Sequence, residues 1–104
     1  MAINVVTKFL SNWTVKIWAY IYDDDGALVD PTSVKVSVVD PDGETQVDEV
    51  AMTPSATGIY YYYYHKGAGE DAMDAGHWRG EILVADGTGE DTVYSGQSFG
   101  FEVE

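Results

Sequence analysis

Between residues 12 and 22 the chain alternates with a period of two. One parity reads Trp13, Val15, Ile17, Ala19 and Ile21; the other reads Thr14, Lys16, Trp18, Tyr20 and Tyr22. Successive side chains of a strand point to opposite faces, so this alternation predicts a long, half-buried strand. The first set is aliphatic beyond Trp13 and is expected to face the core, which turns Trp18, Tyr20 and Tyr22 outward. The same period returns at 33–39, where Val34, Val36 and Val38 alternate with Lys35 and Ser37. Asp40-Pro41-Asp42-Gly43 ends that strand. Proline sets φ at the second turn position and Gly43 accepts a positive φ, which makes this a hairpin turn.

The strand at 45–52 carries an irregularity. Val47 is out of phase with Val50 and Met52, which predicts a bulge between them. Thr53-Pro54-Ser55-Ala56-Thr57-Gly58 reads as a turn, and Ile59 opens a run that includes five consecutive tyrosines, Tyr60 to Tyr64. Aromatic residues favour strands. Residues 66–76 read as a loop with room for a helical turn. A strand at 76–86 places Trp78, Ile82 and Val84 on one face, and a last one at 95–103 carries Phe99, Phe101 and Val103 inward. Together with 3–9, the expected strands are 3–9, 12–22, 33–39, 45–52, 58–66, 76–86 and 95–103. No helix of useful length is predicted. Seven short strands in about 100 residues point to an all-β sandwich spanning 1–104 as one domain.

Several short motifs sit at the strand starts and ends: Val36-Ser37-Val38-Val39-Asp40-Pro41-Asp42-Gly43, Gly58-Ile59-Tyr60-Tyr61-Tyr62, Gly76-His77-Trp78-Arg79-Gly80 and Phe99-Gly100-Phe101-Glu102-Val103. In these the chain resembles the bacterial and phage immunoglobulin-like modules, which are similar to macroglobulin-type domains. The resemblance implies an immunoglobulin-like sandwich of about seven antiparallel strands. It also implies a spacer, decoration or adhesive role in a virion or on a cell surface. Unlike antibody domains, this chain has no inter-sheet cysteine pair and no tryptophan on the 33–39 strand.

Charge changes the picture of partners. Eighteen acidic residues face five basic ones, a formal net charge of −13. Such a surface repels phosphate backbones and anionic membranes, so nucleic-acid binding is not expected. No segment approaches the roughly 20 apolar residues of a membrane span. The N-terminus lacks the basic start and apolar stretch of a signal peptide, so no cleaved leader is expected. With no cysteine, thiolate chemistry and disulfides are excluded together.

The candidate chemistry is sparse. In a sandwich of this topology the strands at 12–22 and 58–66 pair in one sheet. Trp18, Tyr20 and Tyr22 should then share an outer face with either Tyr61 and Tyr63 or the alternate tyrosines; if the Gly-x-Tyr pattern of the resemblance holds, Tyr60, Tyr62 and Tyr64 lean toward the core edge with hydroxyls reaching the rim, and Tyr61 and Tyr63 face outward. A contiguous aromatic patch reads as a contact surface for protein, including self-assembly, or as a platform for sugar rings. The competing reading is that cross-strand aromatic pairs only stabilise the sheet, by about 0.2–1 kcal/mol each. A second candidate is one acidic end. Seven alternating strands send the loops after the second, fourth and sixth strands, the last of them read as Asp86 to Asp91, to one end, gathering Asp23, Asp24, Asp25, Asp30, Asp86, Glu90 and Asp91. Calcium wants six to eight oxygens, so a calcium site at Asp23, Asp24, Asp25, Glu90 and Asp91 is the metal reading; solvated carboxylates are the competing one. The opposite end is acidic as well, with Asp40, Asp42, Glu44, Glu70, Asp71 and Asp74. His65 and His77 fall on different sheets, which leaves no shared metal site or catalytic dyad. Asn12-Trp13-Thr14 matches a glycosylation sequon, read as accidental without a secretion signal. The expected function is a non-enzymatic structural or interaction module that needs no cofactor, with a carbohydrate-binding module as the alternative.

Overall fold

A computed structural model describes residues 2–11, 14–65, 75–87 and 89–103. Asn12, Trp13, Glu70, Asp71, Asp74 and the 66–74 part of the predicted loop lie outside the described residues, as do the side chains of His65 and Asp91. Among the described residues eight strands run in order: β1 (Ala2–Ser11), β2 (Thr14–Tyr22), β3 (Ser33–Val39), β4 (Thr45–Ala51), β5 (Thr53–Ala56), β6 (Ile59–His65), β7 (Gly76–Asp86) and β8 (Val93–Val103). A single 3-10 turn, Gly89–Asp91, precedes β8, and no α-helix occurs among the described residues. The strands form two antiparallel sheets, β1-β2-β6-β5 and β4-β3-β7-β8. This is the expected immunoglobulin-like sandwich, with eight strands in place of seven.

The period-two pattern decides which side chains meet between the sheets. Val15, Ile17, Ala19 and Ile21 of β2 are fully buried, and Val34, Val36 and Val38 of β3 face them from the other sheet. Burying an aliphatic side chain of this size is worth about 1.5–3 kcal/mol, so a one-residue slip of β2 would forfeit several such terms together. Trp78 plugs the centre at 1% exposure. Its ring lies 5.6 Å from that of Tyr64 and 5.9 Å from that of Phe101. Phe101 and Val103 are buried, whereas Phe99 is only partly so and packs against the core from the flank.

The bulge stands where Val47 changes phase. Val36 pairs Val50 and Val38 pairs Val47, so the register shifts between them. Glu49, inside the shift, takes φ +47°, and its amide donates to Ser37 Oγ at 3.0 Å. The turn at 40–43 also forms, with Gly43 at φ +91°. Buried Asp40 organises it: Oδ1 accepts the amides of Asp42 (3.0 Å) and Glu44 (2.9 Å), and Oδ2 accepts Gln46 Nε2 at 2.9 Å.

One expectation is corrected. Residues 53–58 are not all turn, because Thr53–Ala56 forms β5 on the edge of the first sheet and only Thr57 and Gly58 make the turn. The chain changes sheets at Met52. Its amide still donates to Val34 O of β3 at 2.9 Å, while Thr53 already pairs Tyr61 of β6. Met52 is buried at this corner. Proline and small polar residues make the segment read as a loop, but an edge strand tolerates proline because one side of its backbone needs no donor.

Candidate functional site

The outer face of the first sheet follows from the register of β2. Residues directly opposite in an antiparallel pair share a face. Trp18 lies between Val6 of β1 and Tyr61 of β6; Lys16 lies between Lys8 and Tyr63; Tyr20 lies between Asn4 and Ile59. Since Val15, Ile17, Ala19 and Ile21 point inward, Lys16, Trp18, Tyr20 and Tyr22 point outward, and each remains partly accessible. Tyr61 is partly exposed, Tyr63 is 44% exposed and Val6 43%. The structure therefore brings Trp18, Tyr20, Tyr61 and Tyr63 onto one face. Tyr22 sits at its end, against Ala2 and bridged to Leu28.

The alternate tyrosines turn inward as expected. Tyr60 and Tyr64 are buried and Tyr62 packs against the core. At the rim the Tyr60 hydroxyl donates to Asp30 Oδ1 at 3.1 Å. Burial pushes its phenol above the usual value, and the hydrogen bond and negative charge of Asp30 add to that.

The centre of the outer face is a lysine that the aromatic pattern did not single out. Lys16 Nζ stands 4.3 Å from the ring centroid of Trp18, 4.9 Å from Tyr61 and 5.0 Å from Tyr63. Tyr61 and Tyr63 meet edge to face at 5.6 Å. An ammonium over an aromatic face gains about 0.5–1 kcal/mol at an exposed site, so the three rings hold the charge in place. The signal was legible, because Lys16 belongs to the same outward parity as Trp18. It needed β6 beside β2 to become a cluster.

The acidic loops do meet at one end. The Gly58 amide donates to Asp30 Oδ1 at 2.8 Å, and that of Gly87 donates to Thr32 Oγ1 at 2.9 Å, tying three loops together. Asp23, Asp24 and Asp86 line a shallow recess of about 220 Å³ with Val93. Asp23 Oδ1 is occupied by the amides of Asp25 (2.9 Å) and Ala27 (3.0 Å), and Asp30 by its two donors. Among the described residues no three His, Asp or Glu side chains converge as metal ligands. Asp25 and Glu90 are exposed loop positions.

Two larger recesses flank the sandwich. One, of about 560 Å³, lies between β3 and β5 and has Asp30 as its one carboxylate; the other, of about 630 Å³, crosses the outer face of β3, β7 and β8 and has Glu81 as its one carboxylate. Glycoside hydrolysis typically uses two carboxyls flanking the scissile bond, and neither recess supplies that pair. His77 lies on the second sheet and approaches Glu102 Oε1 at 2.6 Å as an exposed cross-strand pair, whereas β6, with His65, belongs to the first sheet. Among the described residues no helix is long and apolar enough to cross a membrane.

No family model and no curated protein sequence matches the chain. Among solved structures it is similar to the crystal structure of the Lin-41 filamin domain. The identity is 27%, the match covers 79% of this chain and 76% of that one, and the TM-score is 0.57. A filamin domain is an immunoglobulin-like sandwich, an architecture that typically serves interaction or structure rather than catalysis. The two-sheet topology and this likeness together make the chain an immunoglobulin-like β-sandwich of the kind seen in a filamin domain.

Proposed function

We propose that this domain is a non-enzymatic structural and interaction module that docks protein through the outer face of β1, β2 and β6. The observation that carries the reading is the cluster of Lys16 with Trp18, Tyr61 and Tyr63 on an accessible sheet face. Tryptophan, tyrosine and charged anchors dominate binding energy where a partner removes water from them. The alternation that fills the core leaves these rings outside.

Within this reading, the domain is a unit of a larger assembly such as a virion or a cell-surface protein, in keeping with the motifs at its strand ends. A sugar platform would use an open ring face. Lys16 Nζ already stands over Trp18, which favours a protein partner over a glycan.

The test is the association state of wild type and Trp18→Ala across a wide concentration range, by sedimentation. Association that the substitution weakens at least tenfold supports the reading. A wild type that stays monomeric at millimolar concentration, or an association indifferent to Trp18, counts against assembly through this face.

A further inference from the structure

Among the described residues the two sheets end on four edge strands, β1, β5, β4 and β8. Three of these carry the devices that discourage pairing with another chain. β5 has four residues, one of them Pro54. β4 is broken by two register shifts, holds Glu49 at φ +47° and carries Asp48 beside it. β1 has the exposed Lys8 and a register shift between Phe9 and Ser11. β8 has none of these. Its eleven residues follow β7 in unbroken register from Val93 to Val103, with no proline, no basic residue and no charge before Glu102. β1 approaches β8 across the rim of the sandwich but forms no ladder with it. The first half of β8 stands clear: Val93 is 58% and Tyr94 77% exposed, and Gly96, Gln97 and Ser98 are exposed with them.

We infer that β8 pairs antiparallel with β8 of a second copy of this chain, about a two-fold axis at Gln97, so that two four-stranded sheets become one continuous sheet. The contact lies on the other sheet from the docking face proposed above and does not depend on it. An unpaired row of amides and carbonyls templates another strand, and the self-complementarity of β8 selects a copy of this chain as that strand. With the axis at Gln97, Tyr94 of one copy lies opposite Gly100 of the other, and Val93 lies opposite Phe101. Tyr94 and Gly100 share the outward parity of β8. Gly100 lines the recess of about 630 Å³ on the outer face of β3, β7 and β8, together with His77, Arg79 and Ser98. The exposed ring of each copy therefore enters the recess of the other. There the His77 ring leans over Gly100, so close that a Cβ on that residue would stand 2.8 Å from His77 Cε1. Arg79 is the direct cross-strand partner of Gly100, which places a guanidinium beside the incoming ring. An axis at Gly96 would set Tyr94 against the Ser98 side chain, and one at Ser98 would set it against Glu102. At Gln97 the Glu102 residues of the two copies stand about 34 Å apart, at roughly 3.4 Å per residue, well beyond the screening length of about 8 Å. Such a two-fold contact is isologous and closes at the dimer.

Charge swapping at the axis tests this. Gln97 is exposed and meets itself across the axis, so Gln97→Lys alone, or Gln97→Glu alone, sets like charges directly opposite. Each is expected to weaken self-association at least tenfold by sedimentation at about 0.15 M salt, and a one-to-one mixture of the two should restore it as a heterodimer. Tyr94→Ala should also weaken it at least tenfold. In wild type, amide hydrogen exchange along β8 should slow between micromolar and millimolar protein. Circular dichroism of each variant checks the fold. Wild-type association in both Gln97 variants, a mixture no tighter than either alone, or exchange in β8 indifferent to concentration overturns the inference. A wild type that stays monomeric at millimolar concentration also overturns it and leaves the edge to a strand of another protein. If Trp18→Ala abolishes association while the Gln97 variants associate normally, the β8 pairing fails and the aromatic docking face stands. If Trp18→Ala associates normally while the Gln97 variants behave as expected, the β8 pairing stands and assembly through the aromatic face fails.

Discussion

Tyr60 and Asp30 join the core to the acidic end. Tyr60 is buried, and its hydroxyl donates to Asp30 Oδ1 at 3.1 Å; the same oxygen takes the Gly58 amide at 2.8 Å. One carboxylate thus ties the 23–32 loop both to the start of β6 and to the turn before it.

Tyr60→Phe should cost about 1 kcal/mol at neutral pH, the usual worth of one such hydrogen bond. Burial and Asp30 raise the folded phenol's pKa. Its stabilising effect is therefore complete below the unfolded phenol value of about 10 and is lost as pH rises through the folded value. Urea midpoints between pH 8 and 11 should fall more steeply for wild type than for Tyr60→Phe.

Asp40 predicts the opposite pH limb. Burial pushes its carboxyl up, but the amides of Glu44 and Asp42 and the side chain of Gln46 outweigh that and hold its pKa below the usual carboxylate range. A depressed folded pKa contributes stability above the unfolded pKa of about 3.9, and that stability is lost as pH falls through the folded value. Asp40→Asn should lower the melting temperature at pH 7 and narrow the gap to wild type toward pH 2. A gap that stays constant with pH would show that the charge of Asp40 plays no part.

Glu49 sits at φ +47° in the bulge, where an L side chain costs about 1–2 kcal/mol. Glycine removes that cost and adds part of it back in unfolded-chain entropy. Glu49→Gly should stabilise by about 0.5 kcal/mol, read from chemical denaturation, and Glu49→Val should destabilise.

Trp78→Ala should cost about 3–5 kcal/mol, since it empties a site packed between Tyr64 and Phe101. A loss below about 1 kcal/mol would mean that the two sheets close over the gap.

What the residues by themselves determined was the inner face of β2 and of β3. The alternation through Val15 to Ile21 and Val34 to Val38 has one burial solution, because a side-chain period of two leaves no third direction. Gly43 and the phase change after Val47 likewise announced their turn and bulge. The carboxylates near Asp23 were legible as an end, since alternating strands bring alternate loops together. Other features depend on contacts remote in sequence. Thr53–Ala56 is a strand only because β6 offers it an edge, and its local composition argues for a loop. Lys16 became the centre of a ring cluster only when pairing laid Tyr61 and Tyr63 beside β2. The uncharged run of β8 had no meaning until the topology said which strands end each sheet. Periodicity is a local property of the backbone, whereas pairing is settled by the packing of two sheets around Trp78, and only that packing decides which distant side chains share a surface.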